Sequence, residues 1–289
     1  MCGIAGYIVT KDGVVRKKSL KRLAVSLLIN IASRGKEAAG YAYIHPQTGF
    51  VRIAKAGVSP MEFIKIPGHL LSNGDYRDMP RMMILHARFA TQGSPTINGN
   101  NHPLYTKGSG LCMVHNGWFT NEDIVAKEMK LDCDFDVDSE VYLKLIEQYF
   151  LAGDGLETAI EKATNKLEVT SACAMFQAKR RDQLWLWRDK FGSLSVAKTE
   201  FGYVFASTTA ILLQTILSTL SALDSTELKL VSLPPGGLLL LNQDGINMET
   251  QLKLDPGEFY WTTEYTNGTK QRKKVSKTHV YTSGQGWSE

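Results

Sequence analysis

An apolar, strand-forming run, Gly3-Ile4-Ala5-Gly6-Tyr7-Ile8-Val9, begins at the third residue of the chain, directly behind Cys2. Glycines at positions 3 and 6 let other backbone approach closely, so the terminus itself is expected inside the fold. Cysteine is small enough that an aminopeptidase is expected to remove Met1, leaving Cys2 with a free α-amine beside its thiol. An unperturbed thiol titrates near ~8.5 and an α-amine near ~7.7–8.0. One residue would then hold a soft nucleophile and a base poised near neutral pH. A cysteine at position 2 is commonly inert, so Cys2 alone carries no function.

The 289 residues, 43% hydrophobic and 21% charged, suit one large globular domain or two small ones. A net charge of +4 singles out no class of partner. Cys2, Cys112, Cys133 and Cys173 form no CxxC and no framework spacing, which points to a reducing, cytoplasmic setting. The first apolar stretch is short and its lysines follow rather than precede it, unlike a signal peptide. No run approaches the ~18 apolar residues of a spanning helix, and myristoylation would need glycine at position 2. No membrane association is expected.

Leu20, Leu23, Ala24, Leu27, Leu28 and Ile31 lay one apolar stripe along a helix over residues 17–33, closed by Ser33-Arg34-Gly35. Strands are expected at 41–45, 51–54, 82–85 and 111–114, with residues 58–81 irregular or in short helices. The polar stretch 92–110 is a long loop, and loops of that length in compact domains are commonly functional. Helices are expected at 121–130 and 138–151, and another from 155. Strands follow at 171–178, 183–188, 194–198 and 202–206, a helix at 208–222, and strands at 227–232 and 237–242. Elements in blocks rather than strict alternation favour largely antiparallel sheets with helices outside, an α+β class. Residues 251–289 read as a basic tail, in part disordered, with Lys270, Arg272, Lys273, Lys274 and Lys277.

Six motifs occur in order: Cys2-Gly3-Ile4-Ala5-Gly6, Arg34-Gly35, His86 to Gly93 (HARFATQG), Asn100-Asn101-His102-Pro103, Val114-His115-Asn116-Gly117 and Asp138-Ser139-Glu140. Together they resemble the glutaminase domain of class II glutamine amidotransferases, the N-terminal nucleophile hydrolases that include those of glucosamine-6-phosphate synthase, amidophosphoribosyltransferase and asparagine synthetase. Weaker echoes at Arg188-Asp189, Phe205-Ala206-Ser207 and Pro235-Gly236 extend the likeness over roughly residues 2–245, and the domain is placed at 2–250. The resemblance implies a four-layer αββα sandwich and hydrolysis of L-glutamine to glutamate and ammonia.

It also implies roles. Cys2 would attack the substrate carboxamide with its own amine as base. Asn116 and the Gly117 N–H would donate to the oxyanion. Arg88 would clamp the α-carboxylate and Asp138 the α-ammonium. Phe89 and Thr91 would belong to the loop closing over substrate, His102 would shape the pocket, and Arg34 and Gly35 would support it. No cofactor and no metal is implied. Simpler readings stand beside these. Asn116-Gly117 suits a tight turn, Asp138 a helix N-cap, Arg34 the last carbonyls of a helix, and Arg88 a strand-end surface position. His86, His102, His115 and Cys112 lack zinc spacing.

Phe89 stands where many relatives carry Trp, and Gln92 where sugar-phosphate members carry His. About forty residues follow position 250, too few for a synthase domain, so ammonia is expected to pass to a synthase on a separate chain or within a homo-oligomer. Rival readings are an amidohydrolase of the same fold acting on another γ-glutamyl or N-acyl compound, and a non-catalytic regulatory subunit. A nucleic-acid binder working through the basic tail ranks last.

Overall fold

The N-terminal strand lies in the middle of a sheet. In a computed structural model, which describes residues 1–72, 76–219, 229–254, 259–266 and 269–276, the first half of the chain runs β1 (Gly3–Val9), α1 (Lys17–Ile31), β2 (Ala38–Ile44), β3 (Val51–Ala56), α2 (Pro60–Phe63) and β4 (Met82–Arg88). After a 3-10 turn at Asn98–Asn100 come β5 (Leu104–Tyr105), β6 (Leu111–Phe119), α3 (Glu122–Glu128), α4 (Asp138–Leu151) and α5 (Leu156–Lys166). The remainder is β7 (Val169–Gln177), β8 (Arg180–Arg188), β9 (Ser195–Thr199), β10 (Gly202–Ala206), α6 (Thr209–Thr219), β11 (Lys229–Ser232), β12 (Gly237–Asn242) and β13 (Gly245–Gln251).

Two antiparallel sheets result, one ordered β11-β9-β10-β1-β4-β2-β3 and the other β13-β12-β8-β7-β6-β5. Both faces of β1 are covered, so its sequence is apolar throughout rather than alternating. Ala5, Tyr7 and Val9 meet the stripe of α1 (Leu20, Leu23, Leu27, Ile31) and Ile211, Leu212 and Ile216 of α6. Ile4 and Ile8 face the other way, against Val114, Phe176, Leu186 and Leu239 of the second sheet. Helix α4 packs on β6 and α5 on α4, completing the four-layer αββα sandwich expected.

The glycines of β1 are where the layers come closest. A Cβ on Gly6 would run into the Met83 carbonyl oxygen of β4 and lie 2.6 Å from the Phe205 ring. Gly6→Ala is therefore expected to destabilise the fold by about 1–3 kcal/mol or more, because neighbouring backbone must give. A lowered urea midpoint at unchanged m-value is the check, and an unaltered midpoint would contradict it.

Several elements differ from the sequence expectation. β2 begins at Ala38, and β4 runs on through Arg88. β6 does not stop at Val114 but continues through Asn116 and Gly117 to Phe119, pairing without interruption with β7. The Asn-Gly dipeptide therefore lies within a strand, not in a turn. β13 was not anticipated, because its exposed alternate positions, Ile246 among them, give no clear apolar pattern. α2 carries a Ser59–Glu62 capping box with Pro60 at its first turn. Positions 220–222 of the expected helix and 227–228 of the expected strand lie outside the described residues.

The chain divides into two compact units, Met1–Lys253 and Leu254–Glu289. In the second, β14 (Phe259–Thr266) and β15 (Thr269–Ser276) pair antiparallel where the sequence suggested only a tail. Lys277 lies outside the described residues. Among those described, no helix is long and apolar enough to cross a membrane.

Candidate active site

Side-chain parity brings the candidate residues to one end of the space between the sheets. Gly3 pairs with Ala87, so Cys2, one residue earlier, falls opposite Arg88 at the end of β4. Both share the inward parity of Ile4 and Ile84, which lie in the inter-sheet core. On the facing sheet Asn116 shares the parity of Cys112 and Val114, in the same core.

Cys2 is half-buried. Its Sγ receives the Phe89 N–H at 3.4 Å and lies 3.5 Å from the Phe89 carbonyl oxygen. Arg34 Nε donates to the Cys2 carbonyl at 2.8 Å. A Cβ on Gly35 would lie 2.6 Å from the Phe89 nitrogen and run into the Arg88 carbonyl carbon. The Arg34-Gly35 pair thus fixes Cys2 through a hydrogen bond and the end of β4 through close backbone packing. Burial pushes the Cys2 thiol up, with Asp138 adding to this and Arg88 and the Phe89 hydrogen bond opposing it. A thiol so placed is protonated at neutral pH and needs a base to become a nucleophile.

Arg88 is buried, not a surface residue. Its Nη1 donates to Asn101 Oδ1 at 3.0 Å, and Nη2 to the Gly93 carbonyl at 2.8 Å and to that of Gln92. Burial lowers its pKa, and Cys2, Glu37 and Asp138 counteract this. Asp138 is the first residue of α4, with Val137 in the cap position, so the N-cap reading is not upheld. Its Oδ1 accepts from the Ser139 N–H at 2.6 Å and its hydroxyl at 3.0 Å, and Oδ2 from the Phe119 N–H at 3.1 Å. Burial raises the carboxyl above its ordinary value despite these donors and Arg88.

Asn116 is buried, and its Oδ1 has no hydrogen-bond partner. A Cβ on Gly117 would run into the Thr170 carbonyl oxygen and lie 2.5 Å from His115 Nε2, which leaves no room for another residue.

Behind this group lies a seam of three buried histidines. His86 and His102 stack with ring centroids 4.3 Å apart, His86 Nε2 bonds the His115 carbonyl oxygen at 3.0 Å, and His115 Nδ1 bonds Ser139 Oγ at 2.7 Å. Burial pushes His86 and His115 down to about 3 and His102 well below its ordinary value. All three are neutral at physiological pH, so none supplies a cation to the site. His102 stacks on His86, and its ring centroid lies 6.5 Å from that of His115. Among the described residues no group of three or more His, Cys, Asp or Glu side chains is placed to hold a metal ion.

The loop after β4 is tethered on both sides. The Ala90 N–H donates to Glu37, and Gln92 Nε2 to the buried Glu122 at 2.6 Å. Phe89 is 49% exposed beside Cys2, and Thr91 is exposed farther along. Glu37, Glu122 and the Asn101 side chain received no role in the sequence reading. Asn101 stood inside a quoted motif, whereas the two glutamates carried no local signal.

Residues 86–214 match a family described as a glutamine amidotransferase domain. The glutamine–fructose-6-phosphate aminotransferase of Geobacillus kaustophilus is 26% identical over 252 residues, 86% of this chain and 37% of that relative. That of Bacillus spizizenii is 28% identical over 192 residues, 66% of this chain and 29% of the relative. This chain therefore spans little more than a third of the first and less of the second. The structure of glutamine phosphoribosylpyrophosphate amidotransferase from B. subtilis superposes with a TM-score of 0.66 at 19% identity, covering 88% of this chain and 50% of that one. A similar match, TM-score 0.67 at 18% identity, is to an allosteric regulatory enzyme of purine biosynthesis. At these identities the structures speak for the fold.

Proposed function

We propose that this chain carries a class II, N-terminal-nucleophile glutamine amidotransferase domain, a reading supported by the family match and the relatives, and that it hydrolyses L-glutamine to L-glutamate and ammonia through a γ-glutamyl thioester on Cys2. The observation that carries this reading is that Cys2, just before β1, falls opposite Arg88 at the end of β4, with the buried Asp138 at the start of α4 tied to the end of β6, and the charges of the three act on one another. A nucleophile flanked by one cation and one anion matches a free α-amino acid, held at both charged ends with its side chain directed at the sulfur.

With Met1 removed, the Cys2 α-amine takes the thiol proton as Sγ bonds to the carboxamide carbon. The negative charge moves to the oxygen, facing Asn116 and the Gly117 N–H. Collapse breaks the carbon–nitrogen bond, the amine returns the proton to the leaving nitrogen, and ammonia departs. Water, deprotonated by the same amine, then attacks the thioester and restores the thiol with glutamate as product. The raised thiol pKa supports a mechanism in which deprotonation and attack are concerted. Phe89, exposed on a loop anchored at Ala90 and Gln92, would close over bound glutamine.

Asp138 makes this reading testable by pH. Its carboxyl titrates above the usual ~3.9 because of burial, and only the carboxylate attracts the substrate ammonium. kcat/KM is expected to fall as pH drops through this raised value. Asp138→Asn should raise the glutamine KM about 10–100-fold and remove that acid limb. An unchanged KM and profile would refute the assignment. Arg88→Lys should act on KM in the same direction, since an ammonium cannot reproduce the planar fork.

Ammonia released into water would be lost, so we further propose that it reaches a synthase on another chain, through a surface that includes the exposed Phe89 and Thr91. Co-purifying a synthase that stimulates glutamine hydrolysis would support this, and full unstimulated turnover by isolated protein would reject it. The four cysteines are free, which supports a reducing, cytoplasmic setting.

A further inference from the structure

Lys55 lies on β3, an edge strand away from the catalytic elements, yet its ammonium points at the loop that holds Arg88. Lys55 Nζ donates to the carbonyls of Asn101 at 2.5 Å, Pro103 at 3.1 Å and Gly99 at 3.4 Å. An ammonium has three donors and no acceptor, and here three carbonyls of one loop receive them. The strand beneath is shaped for that loop. Gly40 pairs directly with Lys55 across β2 and β3, and a Cβ there would run into the His102 carbonyl oxygen and lie 2.8 Å from Lys55 Cβ. Residues 99–103 therefore rest on the Gly40–Lys55 pair.

The next link is Asn101. Lys55 holds its backbone, Nδ2 donates to the Pro95 carbonyl at 2.7 Å, and Oδ1 receives Arg88 Nη1 at 3.0 Å. A lysine on an edge strand ordinarily extends its head into water. This one is drawn inward although Arg88 is also cationic.

We propose that Lys55 is a positioning residue for Arg88, acting through Asn101 to set the guanidinium for the substrate α-carboxylate. This rests on the reading of Arg88 as the carboxylate clamp. It gives the fold a determinant of glutamine affinity three sheet positions from β1, the strand that follows Cys2. Burial lowers the Lys55 pKa to about 8; Cys112 of β6 and Glu140 of α4 oppose the shift, and Arg88 of β4 adds to it. The ammonium is present below about 8 and lost above it, so the tether weakens as pH rises through that value.

The test compares full-length wild type, Lys55→Met, which keeps an unbranched stem of similar length, and Lys55→Arg. Glutamate release is measured against glutamine concentration at pH 7 and pH 9. At pH 7, Lys55→Met should raise KM about tenfold while kcat changes much less. From pH 7 to pH 9 wild-type KM should rise by a larger factor than that of Lys55→Met or Lys55→Arg, whose common rise reports the substrate's own amine losing its proton, and Lys55→Arg should have the lowest KM at pH 9. Unchanged KM in Lys55→Met, or a loss of kcat and thermal stability with KM intact, would overturn the proposal. If wild type hydrolyses no glutamine, the proposed function falls separately. Amide exchange over residues 88–103 then decides: faster exchange in Lys55→Met upholds the tether, and unchanged exchange removes it.

Discussion

Cys2→Ala is expected to abolish glutamine turnover, with a loss on the order of 10⁴-fold or more, since removing the nucleophile from a catalytic unit forfeits nearly all of its acceleration. The fold should survive. The Cys2 side chain is half-buried and its sulfur hydrogen-bonds the Phe89 peptide, while the Arg34 contact is to the Cys2 carbonyl, which alanine keeps. The strand that follows is anchored elsewhere: the Ile4 N–H donates to Ser207 Oγ at 2.8 Å, and β1 pairs along both sides. Intact mass, a thermal melt and glutamate release together check the result. Wild-type turnover in the variant would end the case for Cys2. Retained Met1 should silence the enzyme as completely, because the thiol remains while its base is tied up in a peptide bond.

Asn116→Ala is expected to lower kcat about 10²–10³-fold with little change in KM, the signature of a donor used only when charge develops on oxygen. Asn116 shares the inward parity of Val114 on β6, and its Oδ1 has no partner to lose, so truncation strands no buried group that now bonds that oxygen. A variant with raised KM and unaltered kcat would move Asn116 from the transition state to ground-state binding. Gly117 is a poor site for the same experiment. Its Cβ would collide with the β7 backbone at Thr170, so a substitution there would mix lost catalysis with a distorted sheet.

Much of this was legible because it is local. The α1 stripe and the strand-like opening name their own elements, and six ordered motifs supply the residues of the proposed site. What escaped is set by distant partners. Asn116-Gly117 reads as a turn to any local rule; it is a strand because β7 lies alongside from Phe119 to Leu111. Asp138 reads as a cap, and only the fold shows Val137 in that position and the Phe119 N–H on the carboxylate. Lys55 is one lysine among many by sequence. Its contacts follow from a loop more than forty residues away coming to rest on the strand that carries it.

The central place of β1 has a consequence for the order of synthesis. β1, made well before its partners, pairs with β4 on one side and β10 on the other, and Ile4 is joined to Ser207 across 203 positions. Contacts so far apart in sequence are costly to close and form late. Cys2 therefore waits beside an unfinished sheet until nearly the whole first unit has been made. A nascent or truncated chain that ends before β10 carries Cys2 but not the strand that completes the sheet around it. On the proposed function, glutamine hydrolysis would be a property of the completed domain, and a chain cut short before β10 would release no ammonia.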